Sequence, residues 1–382
     1  MKALQTELEA RHRQHLYRRR RVVEKNDGAE LWVDGQRLIN FCSNDYLGLA
    51  GHPDIAAAMQ QGVRDWGVGS GAAHLVTGHT AAHHALEEEL AEFTGYPRVL
   101  LFSTGYMANQ GVITALMGRG DTLFQDRLNH ASLIDGALQS RSKLKRYPHN
   151  ETVALSGQLR TANGEKMIAT DAVFSMDGDL APLPALAEIA AQQQAWLMVD
   201  DAHGFGVLGE EGRGTSNHFG LGPTEVPILM ATLGKALGTF GAFVAGSEAL
   251  IEMLIQQARS YIYTTAPPAA VAEASRASLQ IARRESWRRE RLNELIVRLR
   301  EHLLKLGLPL MNSPTPIQPI IAGDAACALA WSQQLESEGI LVGAIRPPTV
   351  PEGSARLRIT LSAAHNDQQF DRLLNALSRL QQ

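Results

Sequence analysis

The sequence predicts an α/β protein: a mostly parallel central sheet with helices on both faces, plus a smaller C-terminal α+β domain. Short apolar runs recur, namely "VLLF" (99–102), "TLFQD" (122–126), "KMIAT" (166–170), "WLMVD" (196–200), "PILMAT" (227–232) and "AFVAG" (242–246). Helical stretches separate them, and near-continuous apolar strands with helical crossovers indicate a parallel sheet covered on both sides. The 382 residues suffice for about two domains of roughly 150 residues each.

The elements follow in order. Residues 4–21 read as a basic amphipathic helix. "LWVDGQRLINF" (31–41) reads as a hairpin with Asp34-Gly35 as its two-residue turn. Helices and strands alternate from there, including helices over 81–94, with Thr80 as N-cap, and over 183–194. The apolar stretch 228–246 is long enough for a membrane span. Gly234, Gly238, Gly241 and the central Lys235 fit a buried strand–loop–strand better. After "TTAPPAA" (264–270) a long helical stretch runs to about residue 306. Then "PIQPIIAG", a helix near 325–338, "ILVGAI", "ARLRITL" and a final helix complete the α+β part. The expected segments are 1–50 (helix and hairpin), 51–270 (large α/β domain) and 271–382 (linking helix and small domain).

Bulk properties exclude several classes. A formal net charge of -4 implies no global attraction to nucleic acid or to anionic membranes. Two cysteines far apart, Cys42 and Cys327, do not make a disulfide framework, so a reducing cytosol is expected. The N-terminus lacks the apolar core of a signal peptide, and Glu7 and Glu9 argue against a transit peptide.

Chemistry concentrates around Lys235, the one charge between Ile228 and Gly246. Burying an unpaired ammonium is costly. The surrounding residues fail the phosphate-loop pattern, because Ala236 follows the lysine and residue 229 is leucine. Alone, Lys235 reads as a buried stem with a solvated amine. "MVDDAHGFG" (198–206) changes that reading, since a buried strand there ends in Asp200, Asp201 and His203. Ligands of open α/β sheets bind at such carboxyl ends. "FSTGYMANQG" (102–111) adds a strand, a small-residue turn and a helix whose first amides, at Gly105 and Tyr106, form an anion site. "GVGSG" (67–71) supports a dinucleotide site only weakly. His79 and His83 lack a zinc motif and read as surface histidines on one helix; no metal site is expected. A lysine able to form an imine, an aspartate for a pyridinium nitrogen and a helix N-terminus for a phosphate together describe pyridoxal phosphate. An imine would leave no bare buried ammonium.

"TLGKALG", "VDDAHGFGVLG", "FSMDGD" and "FCSNDYLGL" resemble the α-oxoamine synthase family of fold-type-I pyridoxal-phosphate enzymes. The resemblance runs from "SNDYLGLA" to "RLRITLSAAH". It implies that Lys235 bonds the cofactor aldehyde and serves as base, and that Asp200 keeps the ring nitrogen protonated. It implies that His203 and Ser175 contact the ring hydroxyl and that His130 stacks on the ring, where it also meets substrate. Gly105, Tyr106 and Thr232 would hold the phosphate, and Thr264 or Thr265 would reach the phosphate of a neighbouring subunit in a homodimer. Arg358 and Asn44 would bind the amino-acid carboxylate, with Thr349 and Arg18 near the acyl chain and its carrier. Strand alternation in "ARLRIT" alone makes Arg358 a surface residue. Two departures are Ala72 and Ala73, where Gly or Ser is expected, and Asp171 in place of Glu.

The segment "AIRPPTVPEGSARLR" (344–358) resembles the branch that condenses L-alanine with a pimeloyl thioester in biotin biosynthesis, the carrier being coenzyme A or acyl carrier protein. The alternatives are a sister activity, such as 2-amino-3-ketobutyrate ligase or 5-aminolevulinate synthase, and an aminotransferase. A cofactor-binding regulator would need a DNA-binding module that the first 50 residues lack, and a nicotinamide dehydrogenase rests on weak glycine patterns. The run Arg18–Arg21, with Arg11 and Arg13, is either a solvated basic face or a site for carrier phosphates.

Overall fold

The computed structural model describes residues 4–380. The outermost parts of the first and last expected segments, 1–3 and 381–382, lie outside the described residues. The chain begins with α1 (Leu4–Arg13), β1 (Val23–Asp27), β2 (Glu30–Val33), β3 (Gln36–Asn40), α2 (Pro53–Trp66) and α3 (Ala81–Thr94). There follow β4 (Arg98–Phe102), α4 (Gly105–Leu116), β5 (Thr122–Asp126), α5 (Ala131–Ser140), β6 (Lys143–Tyr147), α6 (Thr152–Leu159), β7 (Lys166–Asp171), α7 (Leu183–Gln192) and β8 (Trp196–Asp200). Next come α8 (Thr215–His218), β9 (Ile228–Thr232), β10 (Ala242–Gly246), α9 (Glu248–Gln257), α10 (Arg259–Ile262) and α11 (Ala269–Arg284). The last elements are α12 (Trp287–Lys305), β11 (Ile317–Gly323), α13 (Ala325–Ser337), β12 (Ile340–Leu341), β13 (Gly343–Ile345), β14 (Ala355–Thr360) and α14 (Asp367–Leu377).

Two compact units divide this chain. The larger holds residues 49–175 and 180–286; the other holds the chain before residue 49, residues 176–179 and the chain from residue 287 on. The larger unit carries a seven-stranded sheet of order β4-β10-β9-β8-β7-β5-β6. Only β10 is antiparallel to its neighbours. Apart from the edge strand β6, the strands of this sheet are buried almost throughout, which is why they read as apolar runs. Leu100, Leu123, Met167, Met198, Met230 and Val244 from the sheet pack with Val112, Ile113 and Leu133 of α4 and α5 and with Ile251 and Leu254 of α9.

The second unit has a four-stranded sheet, β1-β2-β3-β12, and a three-stranded one, β11-β14-β13. The β2–β3 hairpin turns at Asp34 and Gly35, whose φ values of 52° and 74° are the left-handed pair a two-residue turn requires. The N-terminal helix is shorter than its basic pattern predicts. It ends at Arg13 with no buried residue, and His15 adopts φ 58°. Without an apolar stripe to bury, nothing holds the following arginines helical. The long C-terminal helical stretch is likewise two helices, α11 and α12, interrupted at Glu285 and Ser286. Among the described residues no helix is long and apolar enough to cross a membrane.

Candidate active site

Because the strands flanking β10 run parallel, their carboxyl ends lie on one edge of the sheet, where open α/β sheets bind ligands. Five of these ends wall a single cavity of about 210 Å³. The chain leaving β4 supplies Gly105 and Tyr106, and β5 leads to His130. β7 ends in Asp171 and leads to Ser175, β8 gives Asp200 and His203, and β9 gives Thr232 and Lys235.

Lys235 lies in the reversal between β9 and antiparallel β10. Leu233 N donates to Gly241 O at 2.9 Å, and Gly238 N donates to Lys235 O at 2.8 Å. Gly238 has φ +63°, and a Cβ there would come 2.3 Å from Ala50 N, so the tight turn requires glycine. The half-buried Lys235 projects into the cavity with Nζ 2.9 Å from His203 Nε2. Thr232 Oγ1 donates to Gly241 O at 2.9 Å and accepts from Gly234 N at 3.2 Å, tying the same turn.

Asp200, the last residue of β8, is buried. Its Oδ2 accepts from Asn109 Nδ2 at 2.7 Å and its Oδ1 from Ala202 N at 3.0 Å. Asn109 Nδ2 also donates to Ser132 Oγ at 2.8 Å, and Ser132 Oγ lies 2.7 Å from His130 Nδ1. A hydrogen-bonded chain therefore runs from His130 at the rim to Asp200 inside. The sequence reading missed Asn109 and Ser132. The signal for Asn109 was an amide in the second turn of the helix, four residues after Gly105. Asp171 stands opposite Asp200 in the β7–β8 register, and its Oδ2 accepts from His130 N at 2.8 Å. Burial, and then the charge of Asp200, push the Asp171 carboxyl well above the carboxylate range. The neighbouring Asp201 does not line the cavity. Both its oxygens accept from Thr215, at 2.6 Å each, and burial pushes its carboxyl up to about 7.

Thr104 caps α4 by accepting from Met107 N at 3.2 Å. The first N–H groups of a helix have no intrahelical acceptor and sit at its positive end. Gly105 and Tyr106, the first two residues of α4, line the cavity.

Other expected residues are not among those that line it. Thr264 and Thr265, between α10 and α11, are half-buried and exposed respectively. In the second unit, Arg358 Nη2 donates to Asn44 Oδ1 at 3.2 Å, and Arg18 Nη2 donates to Thr349 Oγ1 at 3.3 Å, so each expected pair meets. Arg358 is buried, against what alternation alone suggests, because β14 is the middle strand of its sheet. The histidine expectation needs correcting. His83 is buried within α3, with Nδ1 accepting from Thr80 N at 3.1 Å and Nε2 2.8 Å from Pro267 O, while His79 precedes the helix.

A family model described as aminotransferase class I and II matches residues 36–377. The 8-amino-7-oxononanoate synthase of Nitrosococcus oceani is 64% identical over 97% of this chain and 99% of its own. The chain belongs to the 8-amino-7-oxononanoate synthase family. Serine palmitoyltransferase of Sphingomonas wittichii shares the fold with a TM-score of 0.94 at 31% identity, covering 98% of this chain and 95% of that one. A second chain, solved as "SPT with PLP internal aldimine", matches with a TM-score of 0.93 at 29% identity, covering 98% and 96%. The fold family of this 8-amino-7-oxononanoate synthase relative is pyridoxal-phosphate-dependent.

The donor set suits that cofactor: a buried carboxylate, the first residues of a helix and a primary amine all line the one cavity. Asn109 Oδ1 is buried with no hydrogen-bond partner, a polar atom left over in the wall of this family member's cavity.

Proposed function

We propose that this chain condenses L-alanine with a pimeloyl thioester, releasing carbon dioxide and the thiol, to form 8-amino-7-oxononanoate in biotin biosynthesis. The observation that carries the reading is the convergence of Lys235, Asp200 and the α4 amides on one cavity at the strand ends. Pyridoxal 5'-phosphate bound there supplies an aldehyde for the substrate amine and a protonated ring that withdraws electrons from the alanine α-carbon.

The residues divide the work. Asp200, oriented by Asn109 and the Ala202 amide, accepts from the ring nitrogen and keeps it protonated. The Gly105 and Tyr106 amides hold the phosphate. Thr232 would join them with its hydroxyl. His203 and Ser175 would hold the ring hydroxyl, and His130 would contact the ring. Lys235 Nζ moves the proton at the alanine α-carbon, with His203 Nε2 beside it to share that proton. The α-carbon, its proton held at Lys235, would form a bond to the thioester carbonyl carbon as the carbon–sulfur bond breaks and the thiol leaves; the alanine carbon–carboxyl bond then breaks to release carbon dioxide, and Lys235 returns a proton to that carbon. Arg358 and Asn44 take the amino-acid carboxylate; a guanidinium suits that geometry. Arg18 and Thr349 meet the acyl chain or its carrier, and the exposed Arg18–Arg21 run supports an acidic carrier, coenzyme A or acyl carrier protein. The working form is a homodimer in a reducing cytosol, with Thr264 or Thr265 reaching the partner's phosphate.

The test follows thiol release from pimeloyl-CoA with L-alanine and pyridoxal phosphate, with the product identified by mass spectrometry. We expect 8-amino-7-oxononanoate. Release only with glycine and a shorter acyl-CoA would move the chain to a sister activity. Ketoacid formed from alanine without any thioester would make it an aminotransferase.

A further inference from the structure

A second cavity of about 510 Å³ lies in the larger unit, with His74, His79, His84, Glu87, Arg98 and Tyr261 among its lining. None of these residues lines the proposed active site. One ring nitrogen each of His79 and His84 and one carboxylate oxygen of Glu87 lie within 4.8 Å of one another. His79 Nε2 is 3.9 Å from Glu87 Oε2. His84 and Glu87 are three residues apart on α3 and therefore share a face. His79 comes from the segment that enters the helix.

We propose that His79, His84 and Glu87 form a transition-metal site of the zinc type, with water completing the shell. Two imidazoles and one carboxylate are the donor set of three-protein-ligand zinc sites, and imidazole selects zinc, cobalt or nickel over magnesium and calcium. Tetrahedral zinc with ligands at about 2.0–2.1 Å puts donor atoms roughly 3.3 Å apart. Rotation of the exposed His84 side chain and of Glu87 closes the difference.

The surrounding contacts are those of a held ligand set. Glu87 Oε1 accepts from Leu101 N at 2.9 Å, which leaves Oε2 toward His79. His79 Nδ1 lies 3.1 Å from Nδ1 of the buried His74; with His79 as the donor in that contact, its Nε2 is left for a metal. Glu88 Oε1 lies 3.4 Å from His84 Nε2, a carboxylate partner for that ring. The bound ion would tie the segment before α3 to the helix, and through Leu101 to β4.

The holoenzyme, free of any affinity tag and stripped with chelator, is dialysed against Co²⁺ or Zn²⁺ and assayed for bound metal per chain. We expect one tightly held equivalent, with the intense visible bands of a tetrahedral Co²⁺ site, displaced by Zn²⁺ but not by Mg²⁺. His84→Ala removes an exposed ring and leaves the fold intact, as circular dichroism and the cofactor spectrum would verify. It should lower the affinity at least tenfold and abolish the tetrahedral spectrum. His79→Gln should do the same. Metal retained unchanged by both variants, or no binding by the wild type above that of an unrelated protein, overturns the proposal.

Discussion

Replacing Asn109 by alanine removes the group that connects Asp200 to the rim of the cavity. Its Nδ2 donates at 2.7 Å to Asp200 Oδ2 and at 2.8 Å to Ser132 Oγ, and Asn109 is fully buried. A hydrogen bond to a charged group contributes about 1.5–3 kcal/mol. Asp200 keeps the Ala202 amide but loses the contact that orients its second oxygen. If Asp200 binds the ring nitrogen in the orientation seen here, that loss weakens cofactor binding by about 10- to 100-fold, at roughly 1.4 kcal/mol per decade. The assay titrates the cofactor-free protein with pyridoxal phosphate and follows the absorbance of the bound form. Measurement of kcat at saturating cofactor goes alongside. Asn109→Ser, which retains a donor on a shorter side chain, should recover part of the affinity. An Asn109→Ala protein within twofold of wild type in both affinity and kcat would refute the assignment of Asn109 as the residue that positions Asp200.

Three further outcomes are expected. Lys235→Ala should abolish thiol release from pimeloyl-CoA with alanine while the protein stays folded; wild-type turnover by this variant would end the proposed mechanism. Asp177→Asn removes the counter-charge of Arg356, both being buried in their ion pair, and should cost about 3–5 kcal/mol in urea unfolding, whereas a change below about 1 kcal/mol would mean the guanidinium is satisfied elsewhere. Asp201, pushed up to about 7 by burial, binds its proton more tightly folded than unfolded, so its contribution to stability is fullest below pH ~4 and declines toward pH ~7 by up to about 1.4 kcal/mol per pH unit; the stability difference between wild type and Asp201→Asn should carry that slope, and a flat difference would refute it.

The parts of the fold that face apolar surroundings on both sides were legible. β5, β8 and β10 have the bounds of the apolar runs read for them, and α3 begins after the expected Thr80. β6 was not legible, because "KLKRY" belongs to the edge of the sheet, where long side chains lie at the surface and no apolar pattern is required. Among the site residues, those with distinctive chemistry could be singled out. Asn109 and Ser132 could not, since their importance is a matter of which neighbours the fold brings to them. Strand alternation alone points Arg358 to the surface for a related reason. Alternation distinguishes faces only when one face is wet, and both arginines of β14 are buried against polar partners within their unit.

The pair "DD" at 200–201 shows what three dimensions add to a motif. Sequence position gives both carboxylates an equal claim to the cavity, because both close the same strand. The pleat separates them, since successive side chains of an extended segment point to opposite sides. Asp201 turns away and both its oxygens are used in fixing Thr215, a structural duty that a raised pKa makes sensitive to pH. Asp200 faces the cavity with an amide on one oxygen and Asn109 on the other. A carboxylate confined in this way keeps acceptor capacity for one more donor. Lys235 enters the same cavity from the next strand, with His203 already at hydrogen-bond distance. One carboxylate fixed by donors and one amine set beside a histidine are a division of labour that neither residue could supply from its place in the sequence alone.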